Sequence, residues 1–531
     1  MKGLLIASSI GLGLASGSAF AADIPVTAAP GVGGSAPPPL VYTWTGCYIN
    51  GGVGYGMSKQ DHYGEELTPL TQLTPTVSTG GEGWVGTVGA GCDYQVGSRW
   101  LIGAFGDYNL MTRTYGGSFQ EPYWGWIGNQ NTDEGAWAVG GRIGYLVTPK
   151  LLTYINAGYT QTRFGQINLS SDMVQGAPAA CGAGPCFIPA HTDGGWFIGG
   201  GTEYALWDII PVHGLFWRTD YRYARYNNAD LPILTSTGAP LTVTCTGIAA
   251  VACGEHMQKD VQTVTTGLVW RFNVDGSPSG SAFAADIPVK AAPGAGGSAP
   301  PPLVYTWTGC YINGGVGYGM WEQDNYTDTG ALFTGSIGGE GWVGTVGVGC
   351  DYQVGSRWVI GALADYEFTN LSGSFKDQFL GYIGTQTESG AWAVGGRIGY
   401  LVTPKLLTYI SLGYDVPHFD KINLLSATPP FQPTSYFYPA HTYSSGYVFF
   451  GAGTEYALGD IIPLKGLFWR TEYRYVAGGF LPGNYSSPGL PLLTTAGSAT
   501  SACPLQCTLL MNKDVQTITI GFVWRFSFGG P

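Results

Sequence analysis

The sequence predicts an all-β protein: two tandem eight-stranded antiparallel barrels joined by a flexible Pro/Gly/Ala-rich linker. Three observations predict it: a domain-sized repeat, a strand-period alternation in every segment, and connections that alternate between short and long. The repeat is literal. YTWTGCYINGGVGYGM at 42–57 returns unchanged at 305–320, and GEGWVGTVG at 81–89 returns at 339–347. GAWAVGGRIGYLVTPKLLTYI runs over 135–155 and again over 390–410. The copies close on VQTVTTGLVWRF at 261–272 and VQTITIGFVWRF at 515–526. Solenoid and propeller repeats have periods of roughly 20–50 residues, so each copy here is a domain, not a repeat unit.

Composition separates this chain from soluble domains. Charged residues make up 11%, aromatic residues 14%, and there are 86 glycines in 531 residues. Soluble domains carry about 25% charged residues. Beyond the N-terminus no run reaches the roughly 18 apolar residues of a membrane helix, so an apolar exterior here implies strands. The net charge of −12 and the lack of a Lys/Arg cluster exclude nucleic acid as a partner.

The N-terminus reads as a secretory signal over residues 1–21. Lys2 is the positive start, residues 4–15 are apolar and small, and Ala19-Phe20-Ala21 gives the small-x-small cleavage pattern, with cutting at Ala22. Export places the cysteines in an oxidising compartment. Residues 22–42 read as a flexible leader, ending in Pro37-Pro38-Pro39. The leader returns between the copies, where 280–288 repeats the neighbourhood of 17–25 without its positive start or apolar stretch. Residues 273–304 are therefore a linker at a fusion seam, with barrels expected at 43–272 and 305–528 and a tail at 529–531.

Within a copy the period is two. Trp137, Val139, Ile143, Tyr145 and Val147 share one face, against Ala136, Ala138, Gly140, Arg142 and Gly144. Trp196, Ile198, Tyr204 and Leu206 oppose Gly199, Gly201 and Glu203. Leu215, Trp217, Tyr221 and Tyr223 oppose Phe216, Arg218, Asp220 and Arg222, and Leu268, Trp270 and Phe272 oppose Gly267, Val269 and Arg271. The large apolar face is the one without charge, which fits a transmembrane barrel with lipid outside and a polar lumen. Eight segments are expected in the first copy: 43–57, 81–94, 98–110, 133–147, 151–165, 194–207, 214–226 and 259–272. Crossing a bilayer takes about 9–11 tilted residues. The connections 95–97, 148–150 and 208–213 are short and the others long, the topology of outer-membrane barrels. Trp44, Trp100, Trp270, Tyr94 and Tyr145 fall near the short-turn side, and Trp84, Trp137 and Trp196 near the long-loop side, as two interfacial girdles.

WTGCYINGGVGYG, GxxYQxGSRWxIGxxxDY, AWAVGGRIGYL, GGGTEYAL followed by WRTDYRY, and the closing VWRF together resemble the small outer-membrane β-barrel proteins of rhizobia and brucellae, of porin-family or surface-antigen type. The resemblance covers nearly all of both copies. It implies eight strands per barrel and the outer membrane of a Gram-negative bacterium, with lipid and lipopolysaccharide around the barrel. It also makes Trp524 and Phe526 an assembly signal read by the outer-membrane assembly machinery. The tandem form and residues 527–531 after the final aromatic depart from the family pattern.

Candidate functional residues are few. Cys47 and Cys92 share outward parity near the short turns of neighbouring strands, so a Cys47–Cys92 disulfide is expected, with Cys310–Cys350 as its copy. The loop cysteines pair as Cys181–Cys186, Cys245–Cys253 and Cys503–Cys507. A charge network is expected in the lumens: Asp107, Arg142, Glu203, Arg218, Asp220, Arg222 and Arg271 in the first, and Asp365, Arg397, Glu455, Arg470, Glu472, Arg474 and Arg525 in the second. A barrel of about eight strands is filled by such side chains. His191 and His441, each in a Pro-Ala-His-Thr stretch, are candidate haem ligands on the strength of the resemblance. Gly81-x-Gly83-x-x-Gly86 matches a dinucleotide fingerprint but precedes more strand instead of a helix. No metal site, cofactor or catalytic constellation is expected, and the chain is not read as an enzyme. The leading reading is a structural or surface protein with filled lumens. The alternatives are a single sixteen-stranded porin for small solutes and a haem- or ligand-binding surface protein. Oligomeric state is left open.

Overall fold

The computed structural model describes residues 44–111, 118–120, 127–129, 135–170, 185–207, 210–243, 251–273, 307–326, 333–376, 382–426, 432–442, 447–459, 462, 464–478, 490–494 and 508–526. The expected signal, leader and tail, nearly all of the linker, and Cys181, Cys245, Cys503 and Cys507, so also the three loop pairings expected of them, lie outside these residues.

Eight long strands form the first ring: β1 (Gly46–Leu67), β2 (Val77–Val96), β3 (Trp100–Met111), β4 (Ala136–Thr148), β5 (Leu151–Phe164), β6 (His191–Ala205), β7 (Leu215–Tyr226) and β8 (Val251–Phe272). The second ring repeats them as β9 (Gly309–Tyr326), β10 (Phe333–Val354), β11 (Trp358–Lys376), β12 (Tyr382–Thr403), β13 (Leu406–Phe419), β14 (Val448–Ala457), β15 (Leu467–Ala477) and β16 (Thr508–Phe526). Every neighbour is antiparallel. Each ring closes on itself: β1 pairs β8 from Cys47↔Phe272 to Glu66↔Cys253, and β9 pairs β16 from Cys310↔Phe526 to Tyr326↔Leu510. This corrects the sixteen-stranded alternative, which needs β8 to pair with β9. Closure leaves neither ring an open strand edge, which lipid demands.

The outside is apolar. Ile49, Val53, Val88, Val139, Ile143, Ile155, Ile198 and Leu268 are all exposed, Ile155 by 66%, an arrangement a water-soluble domain does not tolerate over so large an area. From Cys47 to Met57 the chain rises about 33 Å along β1, or about 25 Å along the axis at a 40° tilt. That stretch is the membrane-spanning part, so residues 59–67 of β1 and 251–260 of β8 stand above it on the long-loop side. The strands are thus longer than the sequence period shows, because above the lipid both faces become polar and the alternation fades. Trp100, Tyr94 and Trp270 line the short-turn rim facing outward, and Trp137, Tyr159 and Trp196 the opposite rim. Trp44 departs from its expected place in the girdle. It is 1% exposed, turned inward on Phe216 with its indole N–H donating to Pro149 O at 3.0 Å, and it floors the lumen. Tight turns join strands at the short-turn rim, where Gly97 and Gly355 take φ +65°, open to glycine without strain.

The two barrels touch along a pseudo-twofold seam. Tyr55 meets Tyr475 edge-on at 5.8 Å, and their repeat equivalents Tyr318 and Tyr223 meet at 5.6 Å. Gly80 lies against its own equivalent, Gly338: a Cβ on Gly338 would come within 2.7 Å of the Gly80 Cα. Met57, Met320, Tyr473 and Ala477 complete a buried patch there. Above it Lys59 bonds Asp61 at 2.7 Å and Glu340 at 3.4 Å. The repeat equivalent of Lys59 is Glu322, which instead faces the carboxylates of Glu82 and Asp514.

Candidate functional site

Strand alternation sends every second side chain into a lumen about wide enough to be filled by them. In the first barrel the lower lumen holds three arginines on two carboxylates. Arg142 grips Asp93 with Nε at 2.8 Å and Nη2 at 2.5 Å, and reaches Glu203 Oε1 with Nη1 at 2.6 Å. Arg218 gives Nε and Nη2 to the same Oε1 at 3.0 and 2.6 Å. Arg271 takes Glu203 Oε2 at 3.0 and 2.6 Å and Asp93 Oδ2 at 2.7 Å. The guanidinium planes stack on Tyr48, with Arg142 and Arg218 at 4.5 and 4.6 Å from its centroid, and Arg271 lies 4.9 Å from Trp44. One tier higher, Arg222 grips Asp107 at 2.8 and 2.5 Å, and Asp220 accepts from Tyr154 Oη at 2.9 Å and Asn156 Nδ2 at 3.2 Å. Four guanidinium groups thus meet three carboxylates, and with Asp220 the formal charges of these two tiers balance. Unpaired, each buried charge costs several kcal/mol; bidentate pairing offsets that cost.

The second barrel repeats the tiers. Arg397 grips Asp351 at 2.9 and 2.5 Å and Glu455 at 2.6 Å, Arg470 takes Glu455 at 3.0 and 2.7 Å, and Arg525 reaches Asp351 at 2.6 Å and Glu455 at 2.5 Å. Arg474 takes Asp365 twice at 2.8 Å, Glu367 at 3.1 Å and Glu472 at 2.9 Å. All fourteen lumen residues expected from sequence face inward, and thirteen of them bond to another of the set; Asp220 is held by Tyr154 and Asn156 instead. Sequence reasoning missed the hubs Asp93 and Asp351. Their signal was present: each follows an outward cysteine, so parity alone turns it inward. Glu367, on β11, was missed as well.

Between the tiers of the first barrel lies a cavity of ≈ 40 Å³ lined by Asn50, Thr87, Asp107, Asn156 and Asp220, room for about three waters. Above it short strands from the long loops, including Ile167–Ser170 and Cys186–Ile188, pack Phe119, Ile167, Leu169, Ile188, Ile233 and Leu241 onto the inward Met257. In the second barrel the upper lumen is filled by Trp321, Leu371, Phe419, Tyr438, Tyr447 and Phe449, and Lys513 bonds Glu388 at 2.9 Å over the Trp321 ring.

Cys47 is bonded to Cys92 and Cys310 to Cys350, each pair directly opposite across neighbouring strands. Cys186 and Cys253 are also disulfide-bonded, to partners outside the described residues. Each candidate haem ligand is turned onto an aromatic ring: His191 lies 5.2 Å from Phe164 with Nε2 3.0 Å from Asp193 Oδ2, and His441 stacks on Phe419 at 5.0 Å. Gly81, Gly83 and Gly86 all lie within β2. Trp524 and Phe526 face outward at the end of β16.

The family match agrees with this architecture. The family described as outer membrane protein beta-barrel domain matches residues 26–272 and again 290–526. The 31 kDa outer-membrane immunogenic proteins of Brucella melitensis and Brucella suis are each 28% identical over 214 residues, covering 36% of this chain and 81% of the relative. Among solved structures, the Pseudomonas putida toluene transporter TodX aligns over 92% of this chain and 90% of its own, at 10% identity and a TM-score of 0.23. Neisserial surface protein A aligns over 41% of this chain and 98% of its own, at 9% identity and a TM-score of 0.21.

Proposed function

The chain belongs to the outer membrane protein β-barrel family, carries that domain twice, and resides in the outer membrane of a Gram-negative bacterium; from this premise we propose that both barrels are closed bodies with a structural or surface role and pass no solutes. One observation carries the reading: in each lumen a single buried glutamate, Glu203 or Glu455, is held by three arginines from three other strands. Those arginines cross the bore where a solute would pass. An open channel needs charge along its wall and water between; here the charges meet in the middle. The apolar caps above the tiers close the mouths a second time. Lipid and lipopolysaccharide are the partners of the apolar band, and the assembly machinery reads Trp524 and Phe526.

Liposome swelling tests this. Vesicles carrying the folded protein should swell no faster than empty vesicles in a small sugar. Swelling at a porin-like rate would overturn the closed reading and favour passive diffusion.

A further inference from the structure

Above the membrane-spanning part of the first barrel, three strands bring a histidine and two carboxylates to one face. The short strand Ala229–Pro232 pairs with β8 so that Asp230 lies directly opposite His256, and β8 pairs with β1 so that His256 lies directly opposite Tyr63. Glu65 stands two residues beyond Tyr63, on the same face. Residues directly across a sheet sit about 5 Å apart at Cβ and diagonal ones about 7 Å, so the pairing itself converges the three side chains. Their ligand atoms all lie within 4.8 Å of one another.

Three details distinguish this cluster from ordinary surface polarity. Glu65 is 3% exposed and its Oε1 has no hydrogen-bond partner, an expensive state for a buried acceptor. His256 Nδ1 lies 2.5 Å from Asp230 Oδ1, which orients the imidazole, and the ring is stacked on Tyr63 at 4.6 Å. Asp230 is exposed, so the site opens to solvent on one side only. Burial, and then the Asp230 charge, push the Glu65 carboxyl up to about 7, as expected of a carboxylate that lacks a cation.

We propose that Glu65, Asp230 and His256 form a binding site for a divalent transition-metal ion, Zn²⁺ being the type. An imidazole with two carboxylates is a borderline donor set that suits Zn²⁺ better than Ca²⁺ or Mg²⁺, which take oxygen ligands. Three protein ligands leave a fourth tetrahedral position for water on the open side. Zinc bonds of about 2.0–2.2 Å set tetrahedral ligand atoms roughly 3.3–3.6 Å apart, so the ion parts His256 from Asp230 and draws Glu65 in. Protons compete with the ion for these ligands, so binding weakens in acid. The second barrel is an internal control: its residue equivalent to His256 is Leu510.

The test is titration of the mature, untagged full chain, folded in detergent, with ZnCl₂ at pH 7.5, followed by calorimetry and by metal content after dialysis. Heat-modifiable gel migration confirms that each variant is folded. One saturable Zn²⁺ per chain is expected, with affinity falling at pH 5.5. His256→Ala and Glu65→Gln should each weaken binding by about a hundredfold, and a large excess of Ca²⁺ or Mg²⁺ should not displace the ion. No saturable binding by the folded wild type would overturn the proposal. So would equal binding in both variants, which would move the ion elsewhere, or displacement by Ca²⁺ at matching concentration.

Discussion

Arg271 and Glu203 lie on strands that are not neighbours, β8 and β6, yet their side chains meet inside the lumen, with Arg271 Nε and Nη2 both donating to Glu203 Oε2 at 3.0 and 2.6 Å. A bond between non-adjacent strands ties the wall across its bore, in addition to the hydrogen bonds around it. Arg142 and Arg218 converge on the other oxygen of the same carboxylate, so Glu203 is the point where the ring is cross-braced.

Glu203→Ala should therefore be one of the most damaging single changes in the first barrel. It leaves three buried guanidinium groups short of a partner, and breaking a buried pair in this way costs roughly 3–5 kcal/mol. The temperature at which the folded gel band is lost should fall clearly. Residues 273–531 should keep their own transition, since Glu455 serves that ring separately. An unchanged transition would mean the network contributes no stability.

Each half should fold by itself. Residues 22–273 behind a signal should insert and migrate as a heat-modifiable species, because β1 and β8 close the ring within that half. Folding of the whole chain with failure of both halves would contradict separate closure.

The halves should also stay together when the linker is cut. A protease site placed in 274–306 should yield two fragments that co-purify, held by the Tyr55–Tyr475 and Tyr223–Tyr318 contacts. Gly80→Leu, whose Cβ would lie within 2.8 Å of the Ile337 carbonyl carbon across the seam, should release them. Glu322→Lys, which restores the ammonium that Lys59 supplies on the other side, should tighten the seam by on the order of 1 kcal/mol. Fragments that part at once, or are indifferent to Gly80→Leu, would dissolve the seam.

The rim disulfides should be found intact by mass spectrometry of the unreduced protein, as peptides joining Cys47 to Cys92 and Cys310 to Cys350. Replacing both Cys47 and Cys92 by Ser should cost about 2–4 kcal/mol and loosen the β1–β2 hairpin without opening the ring. Free thiols at these four positions after native export would show the strand register to be wrong at that rim.

Much of this was legible in the residues because a closed barrel wall has one strict rule, alternation. Parity alone turns Arg142, Glu203 and Arg271 inward and Cys47 and Cys92 outward. Three things escaped it. Trp44 precedes β1 and obeys no strand parity, so it read as part of a lipid-facing girdle when it floors the lumen. Tyr223 read as lipid-facing, though it meets Tyr318 of the other barrel, because an apolar outward residue looks the same whether it meets acyl chains or another barrel. Asp230 comes from a short strand inside a long loop, so its meeting with Glu65 and His256 depends on a pairing that no local pattern announces.

Single-channel recording in a planar bilayer tests the central claim most directly. Full-length protein, shown to be folded by its heat-modifiable migration, should insert without stable conductance steps if the Glu203 and Glu455 clusters close the bore as proposed. Steady openings on the nanosiemens scale typical of wide porins would contradict the closed-barrel account outright.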